Sequence, residues 1–116
     1  MYRMFSFYET IIIVTPVLSE KQVKDLVKEY EELILKSGGR IIHQEHWGMK
    51  KLAYPISKKK MANYHLYEYS INTKEITNIH LRLRRENRIL RFLIVKMNKD
   101  ARNYAEIRRN KKQYKN

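Results

Sequence analysis

Two stretches of this chain carry apolar residues at helical spacing, and each shows one apolar stripe that must be buried against another layer. The first opens at Ser19, which with Gln22 reads as a capping box. It continues through Val23, Leu26, Val27, Tyr30, Leu33 and Ile34 until Gly38 and Gly39 end it, where a helix end favours a positive φ. The second starts from Asn72 and Glu75 and has a narrower stripe of Ile76, Ile79 and Leu83. Between and around them lie runs rich in β-branched and aromatic residues. These are residues 7–15 up to Pro16, residues 40–54 with a bend or bulge expected at Gly48 and a close at Pro55, residues 63–71, and residues 89–96 after a polar turn. Ser57 to Lys60 reads as a hairpin loop. The order is β-α-β-β-α-β, which predicts an α+β sandwich: a four-stranded antiparallel sheet with two helices on one face and the other face open.

Side-chain alternation assigns the two faces. Leu90, Phe92 and Ile94 should meet the helices, as should Tyr8, Thr10, Ile12 and Val14. The outward set then holds Glu9 and Arg91 together with Ile11, Ile13, Leu93 and Val95, more apolar than water alone favours, so a partner protein is expected to cover it. Ordinary exposed aliphatics are the plainer alternative.

A chain of 116 residues has room for one core, placed here in residues 1–97, with residues 98–116 as a basic tail too polar to order by itself. Ala101, Tyr104, Ala105 and Arg108 fall near helical spacing, so part of that tail is expected to become weakly helical on RNA or against the domain. The 25 Lys and Arg outnumber the 12 Asp and Glu, and the excess is uneven: residues 1–58 hold nine basic and seven acidic side chains, residues 59–116 sixteen and five. Such a field favours a polyanion through counterion release, and nucleic acid is the usual one; an anionic membrane is the weaker rival.

Catalytic and cofactor chemistry finds little support. There is no cysteine for a disulfide or a thiolate metal site. The longest clean apolar stretch, Ile11 to Val14, is too short for a signal core or a membrane span. His43 and His46, three apart in a strand, should point to opposite faces and form no metal pair, and His65 and His80 have no acid nearby in sequence. No glycine-rich phosphate loop is present. The same topology serves RNA-recognition motifs and small acyl-phosphate hydrolases. Residues 60–67 lack the glycines of the first, and Pro16-Val17-Leu18-Ser19 is not the anion loop of the second. No enzyme, cofactor, metal or small-molecule substrate is expected.

The positive features are basic clusters: Lys50 and Lys51 in the second strand, Lys58, Lys59 and Lys60 in the hairpin loop, and Arg82, Arg84, Arg85, Arg88 and Arg91 around the end of the second helix. Each could be a solvated charge, but their concentration favours phosphate contacts. Trp47 and Tyr54 are candidates for stacking or for packing on a partner.

Tyr8-Glu9-Thr10, the run from Trp47 through Gly48-Met49-Lys50-Lys51-Leu52-Ala53-Tyr54-Pro55 to Ile56, and Arg91-Phe92-Leu93-Ile94-Val95-Lys96 together resemble the bacterial small-subunit ribosomal protein S-six family from Tyr8 to Lys96. The resemblance implies a ferredoxin-like domain that pairs with ribosomal protein S-eighteen as a heterodimer and binds the central domain of small-subunit ribosomal RNA, in the cytoplasm, as an architectural component. On that footing Lys50, Lys51 and Tyr54 match the family's basic pair and tyrosine, and Arg84 and Arg91 match its basic positions. Ala62 departs from a frequent glycine. The expected partner face is Ile11, Ile13, Trp47, Tyr54, Leu93 and Val95. The alternative is a free-standing single-stranded RNA-binding module using Tyr64, Leu66, Ile11 and Leu93 on its sheet.

Overall fold

The computed structural model describes residues 4–114, with side chains to residue 110; residues 115 and 116, the end of the basic tail, lie outside the described residues. The elements are β1 (Phe5–Val14), α1 (Glu20–Lys36), β2 (Arg40–Ile56), β3 (Lys59–Asn72), α2 (Ile76–Arg84), β4 (Ile89–Met97) and α3 (Lys99–Tyr114). The four strands form one antiparallel sheet in the order β2-β3-β1-β4, the ferredoxin-like arrangement.

Helix α1 forms where the apolar spacing and caps place it. Ser19 Oγ accepts from the Gln22 amide at 3.2 Å, while the Gln22 side chain accepts from the Ser19 amide at 2.8 Å. At its end Gly38 takes φ +85, its amide bonds to the Leu35 carbonyl, and the Gly39 amide bonds to the Ile34 carbonyl, closing a Schellman motif. Gly39 is needed for space: a Cβ there would lie 2.7 Å from Ile34 Cγ2 and 2.8 Å from the Ile34 carbonyl oxygen. Val23, Leu26, Tyr30 and Ile34 of α1 and Ile79 and Leu83 of α2 meet Tyr8, Ile12, Val14, Tyr67, Tyr69 and Ile71 of the sheet, and these form the core. Polar atoms in it are paired: the Tyr67 hydroxyl donates to the Val27 carbonyl at 2.6 Å, and Thr10 and Tyr69 hydroxyls share a bond of 2.8 Å. Burial raises the Tyr67 phenol and pushes that of Tyr69 up to about 12.

Three local expectations need correction. Pro55 lies inside β2 and does not close it; β2 is an edge strand, where a residue without an N–H breaks no ladder bond. The hairpin turn is only Ser57 and Lys58, at φ 49 and 65, so Lys59 and Lys60 are already in β3. Asn72 does not cap α2: its side chain accepts from the Lys74 amide, making a turn, and the helix begins at Ile76 with no side-chain cap.

At the C-terminus the weak helical spacing of Ala101, Tyr104, Ala105 and Arg108 is part of a longer helix, α3, which lies against the sheet face that α1 and α2 leave free. Arg108 and Arg109 pair with Glu45 and Glu68 of that face and Ala105 is buried against it, and the ion pairs join residues that composition does not connect.

Candidate nucleic-acid interface and partner face

The register turns the outward face into rows. Phe7 pairs with Met97 and Ser70; Glu9 with Glu68 and Val95; Ile11 with Leu66 and Leu93; Ile13 with Tyr64 and Arg91. On β2 the next partners outward are Arg40, His43, Glu45 and Gly48. A register shift between His46 and Gly48, with Gly48 at φ +74, confirms the expected bulge and leaves Trp47 as the extra residue. The indole stacks on the Tyr64 ring at 6.1 Å between centroids, Lys50 Nζ sits 5.3 Å above it, and its N–H donates to Glu45 Oε1.

The two basic clusters lie on opposite edges of the sheet, both displaced towards the same end of it. Gly48, Tyr64, Ile13 and Arg91 form a single cross-strand row, and Lys50 and Lys51 continue β2 beyond it towards the turn that carries Lys58. The β2 and β4 edges are three strand spacings apart, roughly 14 Å. Lys50, Lys51, Lys58, Lys60, Arg82, Arg84, Arg85 and Arg91 are exposed, and Lys59 is half-buried. Arg88 differs from the rest: its guanidinium donates to both Glu86 oxygens at 2.7 and 2.9 Å and to Glu29 at 3.0 Å. The Glu86 bond holds Arg88 more firmly charged and the Glu86 carboxyl below its usual range. Tyr30, whose hydroxyl also reaches Glu86, is raised by burial.

Of the residues read as a partner face, Ile11 and Ile13 are half-buried and Leu93 and Val95 exposed on neighbouring outward strands, as the alternation requires. Trp47 joins them through its bulge. Tyr54 stands apart near the hairpin tip, 84% exposed. Leu66 is only 1% exposed and lines a groove of about 840 Å³ between α3 and the sheet, together with Glu9, Val95, Met97, Tyr104 and Ala105. A base could not reach Leu66 without moving α3, which counts against the sheet-stacking alternative.

Periodicity placed Glu9 on the outward face but missed Glu45 and Glu68, which join it in a carboxylate cluster beneath α3. Glu68 is 3% exposed and receives Arg109 at 2.6 Å; Glu45 receives Arg108 at 2.9 Å; Glu9 lies opposite Glu68, its carboxyl raised by burial and pulled back by Arg108. The available signal was Glu68 itself, an acid in the middle of an aromatic strand. The histidines separate by face as expected: His43 reaches Glu45, while the His46 ring meets His65 on the helix side. Among the described residues no group of three His, Cys, Asp or Glu is arranged to hold a metal ion, and no helix is long and apolar enough to cross a membrane.

Fold and charge define a basic ferredoxin-like α+β protein with a cationic end and a partly covered outward face. The family model for ribosomal protein S6 matches residues 7–96, and the chain belongs to that family. The small ribosomal subunit protein bS6 of Christiangramia forsetii is 45% identical over 102 residues, spanning 88% of this chain and 91% of the relative. That of Phocaeicola vulgatus is 45% identical over 105 residues, spanning 90% and 92%. The crystal structure of 30S ribosomal protein S6 from Thermotoga maritima superposes with a TM-score of 0.78 at 19% identity over 97% of this chain and all of that one, a likeness of fold. The family is one of the bacterial small ribosomal subunit, a cytoplasmic particle.

Proposed function

We propose that the chain is an architectural, non-catalytic component of the small subunit that binds the central domain of small-subunit ribosomal RNA together with ribosomal protein S-eighteen. The observation that carries this reading is that both basic clusters, on opposite edges, lie towards one end of the sheet, beside the outward Ile13 and Tyr64 and the Trp47 ring stacked on Tyr64. Lys50, Lys51, Lys58, Lys59 and Lys60 on the hairpin arm, with Arg82, Arg84, Arg85, Arg88 and Arg91 at the opposite edge, bracket a phosphate backbone. The family match supports the ribosomal setting. Ile11, Ile13, Trp47, Tyr54, Leu93 and Val95 receive the partner protein. Of the described residues, 4–97 are the folding unit and 98–114 an appended arm.

The test is binding to central-domain RNA across a salt series, with and without S-eighteen. Each lost phosphate contact reduces the log–log salt slope by about 0.7 to 0.9. Replacing Arg84, Arg85 and Arg91 by Ala should therefore flatten the slope by about two units. An unchanged slope removes these arginines from the contact set, and equal affinity with and without S-eighteen removes the cooperative pairing.

A further inference from the structure

Helix α3 is held unlike the other two. Among its described residues only Ala105 is buried, whereas α1 buries four residues and α2 two. Its three arginines turn inward: Arg102 lies 3.3 Å from the Phe7 ring centroid, Arg108 pairs with Glu45 and Arg109 with Glu68. Asn103, Glu106 and Asn110 are left on the solvent side. A sixteen-residue helix of this polarity is marginal alone in water, so its seat depends on those pairs. The carboxylates need the pairs as well, because Glu68 is almost fully buried and a buried carboxylate without a cation is costly. Any molecule that takes the place of α3 must bring its own positive charge to the β2 and β3 carboxylates.

We propose that α3 is an exchangeable occupant of the outward face. Glu45 and Glu68 receive two neighbouring guanidinium groups, supplied by Arg108 and Arg109 in the free protein. They are supplied by an arginine-bearing segment of the partner protein when that partner docks and lifts α3 away. This rests on the reading that the face receives a partner protein. The chain is strongly basic overall, so a cationic segment gains from this face only where the carboxylates are. The apolar groove beside them, floored by Leu66, Val95 and Met97, takes the aliphatic stems. Release frees Arg108 and Arg109 for other anions.

The probe is a fluorescent peptide of residues 98–114 added to the full-length chain and to a full-length Arg108→Ala, Arg109→Ala variant, read by anisotropy. Emptying the site removes the competitor in cis, so the variant should bind the peptide at least ten times more tightly than wild type. A peptide carrying the same two alanines should not bind. Equal binding by both proteins, or none by a variant whose circular dichroism is native, overturns the proposal. Should the variant not fold, hydrogen exchange on wild type decides. Amides of α3 must exchange well before those of β1 and β3; loss of α3 protection only with the central strands would make it a fixed element and sink the idea. Adding the partner should speed α3 exchange further. If the partner binds and α3 stays protected, the exchange model fails while the docking reading survives. If the partner does not bind, the docking reading fails and the peptide result alone decides the exchange.

Discussion

Mild acid should weaken this domain through His65, because of the hydrogen-bond chain that holds its ring. The Glu31 carboxylate can only accept, so the Gln44 amide nitrogen faces it at 3.1 Å. The Gln44 oxygen is thereby aimed at His65 Nε2, 2.9 Å away, which must carry hydrogen. A neutral His65 then has its lone pair on Nδ1, where it accepts from His46 Nδ1–H at 3.3 Å. Protonation would place a charge on a ring that is 5% exposed and would force His46 to give up its Nδ1–H. Burial first, then the neighbouring His46, lower its pKa from 6.5 to about 4. A folded pKa below the unfolded one means that the unfolded chain takes up the proton first. The stability is complete above pH 6.5 and drains away as pH falls towards 4. At about 1.4 kcal/mol per unit, roughly 2–3 kcal/mol should be gone by about pH 4.5. Urea denaturation of wild type and His65→Gln between pH 7.5 and about 4.5 measures this, since the variant lacks the titrating ring. If both lose the same stability over that range, the assignment of neutral His65 is wrong.

Three other substitutions follow from the packing. Tyr67→Phe leaves the Val27 carbonyl without its 2.6 Å donor and should cost about 1 kcal/mol in chemical denaturation, with no change in RNA affinity. Gly39→Ala drives a methyl group into Ile34 and should destabilise by about 1–3 kcal/mol, lowering the melting temperature. Arg88→Ala removes contacts to Glu86 and Glu29 that are partly exposed, so calorimetry should show a loss of about 1 kcal/mol, while Arg84→Ala and Arg91→Ala stay within about 0.5 kcal/mol. Equal losses for all three arginines would contradict the separate status of Arg88.

Helix α1, the strand patterns, the inward set of β1 and β4, and the bulge at Gly48 were legible in the sequence because each is written locally, in periodicity, caps or a glycine at positive φ. The cationic residues were legible as a list. Their gathering at one end of the sheet was not, because it follows from the order β2-β3-β1-β4 and a register that joins Gly48, Tyr64, Ile13 and Arg91. The role of Glu68 and the order of α3 were legible least of all. Arg109 is 41 residues from Glu68 and Arg108 is 63 from Glu45, so no window of sequence contains either pair. The local pattern thus determined which segments fold and which side of each faces the core. Tertiary structure alone decided which charges meet, since the energy of an ion pair depends on distance and burial and these are set only when distant strands are brought together.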